Sequence, residues 1–120
     1  MVKAGSLRKR YIAFELRGQQ MDAEMLKRAL YAEALRFFGE YGLSFVALKL
    51  VEYFPDKKIG IVRCERGKLE DVLGFLALAD SLDGKAARVV ALKSSGTLRT
   101  LHDLLDLGPV RRPERSTQSR

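Results

Sequence analysis

Apolar and polar residues alternate from Tyr11 to Leu16: Ile12, Phe14 and Leu16 fall on one side, and Tyr11, Ala13 and Glu15 on the other. That period of two predicts a strand. The period then changes. After Asp22, a residue suited to capping a helix, Ala23, Leu26, Leu30, Ala34, Phe37 and Tyr41 recur at helical spacing, while Lys27, Arg28, Arg36 and Glu40 fall outside the stripe. This predicts an amphipathic helix closed by Gly39 and Gly42. Leu43–Phe54 is rich in Val, Leu, Phe and Tyr and predicts a long strand. Pro55-Asp56-Lys57 predicts a turn, and Lys58–Arg63 the returning strand of a hairpin. A second helix is expected from about Lys68 to Leu82, with Leu69, Val72, Leu73 and Leu76 on one stripe and the turn signal Asp83-Gly84 after it. Ala86–Lys93 reads as a fourth strand. Ser94-Ser95-Gly96-Thr97 then opens a short third helix, with Leu98, Leu101 and Leu105 along one side and Gly108-Pro109 at its end.

The order strand-helix-strand, strand-helix-strand predicts an α+β fold: a four-stranded antiparallel sheet with two helices on one face. This is the ferredoxin-like sandwich that RNA-recognition motifs share. The third helix is additional, and either covers the open sheet face or presents itself to a partner. Residues 1–9 are expected to be a basic N-terminal arm, residues 10–108 a single domain, and residues 109–120 a basic tail of disorder-prone composition.

Charge changes the picture more than composition does. Across 120 residues the formal net charge is +7. The excess lies at the ends, in Lys3, Arg8, Lys9 and Arg10 and in Arg111, Arg112, Arg115 and Arg120, while the body between is electrically balanced. Basic arms beside a neutral domain suit a polyanion, because each phosphate neutralised releases counterions. The same arms also serve as solubility devices, and the sequence leaves both readings open. The lone Cys64 cannot form an internal disulfide, which points to a reducing, cytoplasmic setting. The longest apolar run, Phe75–Ala79, is too short to cross a bilayer, and no leader is expected at Met1–Arg10.

Motifs for catalysis are lacking. His102 is the only histidine and stands beside Asp103, but no nucleophile is tied to it, and the pair reads as a solvated helix face. Cys64 alternates with Val62 and Gly60 and reads as a packing residue. No glycine-rich phosphate loop and no dense carboxylate cluster is present. Base stacking of the RNA-recognition type is disfavoured too, since Lys58–Cys64 carries aliphatics where the rings would sit, and Tyr11 is the one candidate ring. The Ser94–Arg99 junction offers helix-start N–H groups, the hydroxyls of Ser95 and Thr97, and the Arg99 fork. It suits an anion, or is an ordinary helix cap.

Four strings occur in order: Lys9-Arg10-Tyr11-Ile12-Ala13-Phe14, Gly60-Ile61-Val62-Arg63-Cys64, Ser81-Leu82-Asp83-Gly84-Lys85 and Ser95-Gly96-Thr97-Leu98-Arg99. Together, over about residues 8–106, they resemble the ribonuclease P protein component 2 family, the small protein subunit of archaeal ribonuclease P with eukaryotic counterparts. The resemblance implies an accessory subunit of a ribonucleoprotein whose RNA removes the 5′ leader from precursor tRNA. It implies pairing with component 3 among other protein subunits, assembly as a dimer of heterodimers, and only indirect contact with precursor tRNA. No cofactor is expected on the chain itself, and magnesium is expected for the RNA catalyst.

On this reading the protein stabilises folded RNA electrostatically. The candidate contacts are Lys9, Arg10, Arg63, Arg66, Arg88, Lys93, Ser95, Gly96, Thr97 and Arg99, with no catalytic or metal-ligating residue. Lys9, Arg10, Arg63 and the Ser95–Arg99 corner lie inside the matched strings; Arg66, Arg88 and Lys93 rest on charge. The alternatives are a ferredoxin-like dimerisation module without an RNA role, and a small hydrolase using His102 and Asp103.

Overall fold

In a computed structural model the described residues are 8–18, 20–82 and 84–110. The chain runs β1 (Lys9–Gly18), α1 (Ala23–Val46), β2 (Lys49–Phe54), β3 (Ile59–Glu65), a 3-10 turn at Arg66–Lys68, α2 (Leu69–Leu78), β4 (Ser81–Leu82), β5 (Lys85–Ser95) and α3 (Leu98–Leu105). The strands form one antiparallel sheet in the order β2-β3-β1-β5-β4. This is the expected ferredoxin-like α+β arrangement, widened by a two-residue strand.

Successive side chains on a strand point to opposite faces. On β1, Ile12, Phe14 and Leu16 join Val62 and Cys64 in a core with Leu26 and Leu30 of α1 and Val72, Phe75 and Leu76 of α2. The other face is covered as well. Ala13 and Ile61 are buried beneath Leu101 of α3 and Leu107 just beyond it. The third helix therefore packs against its own sheet, each fully buried Leu or Ile contributing about 1.5–3 kcal/mol.

Asp22 caps α1, its Oδ1 accepting from the Met25 N–H at 2.8 Å. The expected end at Gly39 is a kink instead. Gly39 takes φ 77° and ψ 165°, and the helix resumes to Val46. Its last turns stay helical because Leu43 and Val46, three apart, both return to the core. The β-favouring composition of Leu43–Val46 loses to that packing, and the strand begins only at Lys49. Likewise α2 stops at Leu78. Ser81–Leu82 turns back to pair with Lys85–Ala86, two paired residues on each strand; the expected turn residue Asp83 lies outside the described residues.

Phe14 stands opposite Gly60 across the β1–β3 pair, and its ring lies where a Cβ on Gly60 would sit. The sheet needs glycine here to seat the largest core side chain of β1. Gly60→Ala is expected to lower stability by about 1–3 kcal/mol through overpacking, measured by urea denaturation.

Candidate nucleic-acid interface

On the α3 side of the sheet, register places Lys49, Arg63, Tyr11 and Ser95 in one row across β2, β3, β1 and β5. Residues directly opposite share a face, with Cα atoms about 4.5–5.5 Å apart. The start of α3 overhangs this row and closes a groove of about 1070 Å³, lined among others by Tyr11, Arg63, Thr97, Arg99 and Pro109. The corner leading into α3 is rigidly built. Thr97 N–H donates to Ser95 Oγ at 3.1 Å, and Thr97 Oγ1 accepts from Thr100 N–H at 3.3 Å as the helix cap. The ordinary capping role thus accounts for the contacts that Ser95 and Thr97 make within the protein.

The candidate cations separate into distinct environments. Lys9 is paired, its Nζ lying 3.1 Å from Glu65 Oε2 directly across the β1–β3 ladder. Arg10 points to the same face as Ile12. Its Nη1 lies 3.4 Å from the place a Cβ on Gly96 would take, which puts the guanidinium against the β5–α3 corner. Arg63 lines the groove on the opposite face. The Nε atoms of Arg10 and Arg63, with the Tyr53 hydroxyl, are buried and have no hydrogen-bond partner among the described residues. Such orphaned donors are rare, because an unmet buried donor costs about 1–3 kcal/mol.

Arg66 is exposed on the 3-10 turn, its N–H donating to the Arg8 carbonyl at 3.3 Å. Arg99 is exposed in the first turn of α3. The fold therefore gathers Lys9, Arg10, Arg63, Arg66, Ser95, Gly96, Thr97 and Arg99 at one end of the sheet. Lys93, opposite Ala13, lies on the groove's face and is exposed. Arg88 does not join them: it pairs with Arg17 at the far end of β1, about 20 Å from Tyr11 at strand rise. The distal cations of both arms, in residues 1–7 and 111–120, lie outside the described residues.

His102 is the residue that sequence reasoning misplaced. It is 3% exposed, with Nε2 2.6 Å from Glu52 Oε1 and Nδ1 2.8 Å from the Gly108 carbonyl oxygen. Both partners are acceptors, so the geometry calls for a proton on each ring nitrogen: an imidazolium paired with the Glu52 carboxylate. The signal was present in the spacing. Leu98, Leu101, His102 and Leu105 stand at i, i+3, i+4 and i+7, which puts His102 on the buried stripe and leaves Asp103 outside it. The pair clamps α3 to β2, and with both ring nitrogens engaged it offers no free general base. Among the described residues, no group of three or more His, Cys, Asp or Glu is placed to hold a metal ion. Cys64 is fully buried; burial, with Glu65 adding to it and Arg10 and Lys9 opposing, pushes its thiol up to about 11, leaving it an unreactive packing group at neutral pH.

Burial by itself disfavours the charged His102 ring, but the bonds to Glu52 and Gly108 and the charges of Glu52 and Asp103 outweigh it and raise the pKa above its ordinary 6.5. A raised folded-state value means that the pair's contribution to stability is complete below the unfolded value and fades as pH rises through the folded one. Unfolding free energy from urea titrations should therefore fall as the pH rises above the ordinary histidine value of 6.5. Glu52→Gln should cost about 3 kcal/mol at the acid end and flatten the pH dependence.

The sequence profile of the Rpp14/Pop5 family matches residues 10–105. Over 95 residues the chain is 33% identical to ribonuclease P protein component 2 of Pyrococcus furiosus, covering 78% of this chain and 79% of that one. Over 93 residues it is 39% identical to the protein of that name from Archaeoglobus fulgidus, covering 77% and 83%. A chain in the cryo-EM structure of yeast ribonuclease MRP shares the fold at a TM-score of 0.61 and 15% identity, over 83% of this chain and 90% of that one.

Proposed function

The chain belongs to the Rpp14/Pop5 family, and from that premise we propose that it is an accessory protein subunit of ribonuclease P, binding and stabilising the RNA that removes the 5′ leader from precursor tRNA. The observation that carries this reading is the family match across nearly the whole folded body, together with relatives named as ribonuclease P protein component 2. The cationic end of the sheet supports the RNA half of it. Phosphates brought together in a folded RNA repel, and guanidinium groups held by the protein offset part of that cost. The RNA then needs less magnesium to hold its active geometry, so the metal serves the RNA and the protein lowers the demand for it.

Arg10 and Arg99 flank the β5–α3 corner and are the most informative pair to remove, since Lys9 is already engaged with Glu65. Arg10→Gln with Arg99→Gln is expected to raise the magnesium needed for half-maximal cleavage by the reconstituted enzyme. The same pair should also flatten the slope of log affinity for the RNA against log salt by about 1.5. An unchanged magnesium requirement and slope would remove these side chains from the RNA interface. Association with the RNA that ignores salt altogether would favour the competing reading, a dimerisation module without an RNA role.

The protein partner docks elsewhere on this reading. The outer surface of α1 and α2 exposes Tyr31, Phe37, Tyr41, Phe45 and Leu78, with Tyr41 80% exposed and the Tyr41 and Phe45 rings edge to face at 5.0 Å. Exposed apolar side chains such as the adjoining Tyr41 and Phe45 rings mark interaction surfaces. We assign this patch to component 3 and to the contacts that build a dimer of heterodimers. Tyr41→Glu with Phe45→Glu should abolish co-purification with component 3 while shifting the chain's own stability by less than about 1 kcal/mol.

A further inference from the structure

The groove beneath the start of α3 contains more than charge, and its other components specify what kind of RNA it takes. Tyr11 is half-buried at its floor, packed at one edge against the small cluster under α3. The aromatic side chains Phe37, Phe38 and Phe75 contact one another, Tyr41 contacts Phe45, and Phe54 contacts His102. Tyr11 has no aromatic neighbour among the described residues. Directly across the ladder stands Arg63, whose buried Nε lacks an acceptor. Neither Arg63 nor Arg99 enters an ion pair among the described residues. Two acids line the groove as well: Glu52, which is held by His102, and Asp103, one helical turn beyond Arg99 and in no ion pair with it.

Resting on the RNA-binding reading above, we infer that this groove holds an unpaired nucleotide, its base against the Tyr11 ring and its phosphate on the guanidinium groups of Arg63 and Arg99. Aromatic side chains stack on bases whose faces are open, and a base inside a helix has none to offer. A phosphate in the groove meets the guanidinium groups of Arg63 and Arg99, which line it, in the charge-assisted geometry that guanidinium favours. A single ring limits the stack to one base, so the groove tolerates sequence and selects strandedness. It would hold a loop or bulge of the RNA, with Arg10 and Arg66, outside the groove at the same end of the sheet, left to the flanking backbone.

The test is competition binding with the full-length chain, using a short labelled oligouridylate as probe, an RNA duplex of equal total charge as competitor, and the catalytic RNA as reference. The oligouridylate is expected to bind and the duplex to compete poorly. Tyr11→Leu, which keeps an apolar side chain over the cluster, should weaken oligouridylate binding about tenfold, and Tyr11→Phe should restore it to within about twofold. Arg63→Gln should flatten the salt slope for the oligomer by about 0.7. Urea denaturation of each variant separates lost binding from lost folding. The inference is overturned, with the RNA-binding reading intact, if the catalytic RNA binds with a steep salt dependence but the duplex competes equally, the oligomer fails to bind, or a folded Tyr11→Leu binds it like the parent. If neither the oligomer nor the catalytic RNA binds with a salt dependence, both fall.

Discussion

Because β1 carries buried side chains on both faces over Ile12–Phe14, the sheet cannot be left open on either side. Ile12 and Phe14 are covered by α1 and α2, and Ala13, with Ile61 beside it on β3, has to be covered by something else. The C-terminal helix meets that requirement, and its placement decides the rest of the functional end of the molecule. Leu101 and Leu107 supply apolar cover, and the His102–Glu52 pair fixes the helix against the edge strand β2. A buried ion pair contributes modest net stability, but breaking it leaves a stranded charge, so it acts more as a positioning device than as a source of stability. The first turn of α3 is then held over the row containing Arg63 and Tyr11, and the groove is a by-product of covering the second face.

How far this could be read from the chain depends on which physical signal each element carries. β1 and the Leu26, Leu30 and Ala34 part of the α1 stripe were legible because a period of two and a period of near four cannot be confused over that length, but Phe37 and Tyr41, on either side of the Gly39 kink, are exposed rather than buried. The C-terminal turns of α1 were not legible. Leu43-Ser44-Phe45-Val46 is short and favours strands by composition, and only the burial of Leu43 and Val46 on one core decides for helix. The short strand at Ser81–Leu82 was not legible either, because it and its partner have two paired residues each, too few to register as a pattern. His102 is hard to place from sequence for another reason: its acidic neighbour Asp103 suggests a solvated face, and Glu52, which pairs with it, lies 50 residues away in sequence.

The charged residues show the same limit more sharply. A list of basic residues carries no register, and register is what assigns their roles. Because β1 and β3 run antiparallel, Lys9 meets Glu65 and is largely neutralised, while Arg63, two residues earlier on β3, meets Tyr11 instead. Because β5 also runs antiparallel to β1, its C-terminal Ser95 lies by Tyr11 while Arg88, near its start, is carried to the opposite end beside Arg17. The family resemblance sets Arg63 and the Ser95–Arg99 corner apart from Arg88, and the ladder supplies the physical reason: antiparallel pairing brings three of the four matched strings to one end, while Ser81-Leu82 and Lys85 of the fourth lie toward the other, with Arg88.

That end is also where the fold is least satisfied internally. The core is closed and the capping contacts of α1 and α3 are made, yet Arg10 and Arg63 each bury an Nε without an acceptor, one on either face of the sheet and both beside the β5–α3 corner. Consistency across packing, capping and hydrogen bonding is what lets a sequence specify its structure, and departures concentrate where function sets the terms. Two unmet guanidinium donors at one end of the sheet, with apolar rings exposed on the helical layer behind it, divide the surface into two chemistries. The first is cationic and suits an anion, and the second suits an apolar protein surface. Since α3 covers one face of the sheet and α1 and α2 the other, both can be engaged at once without competing for the same side chains.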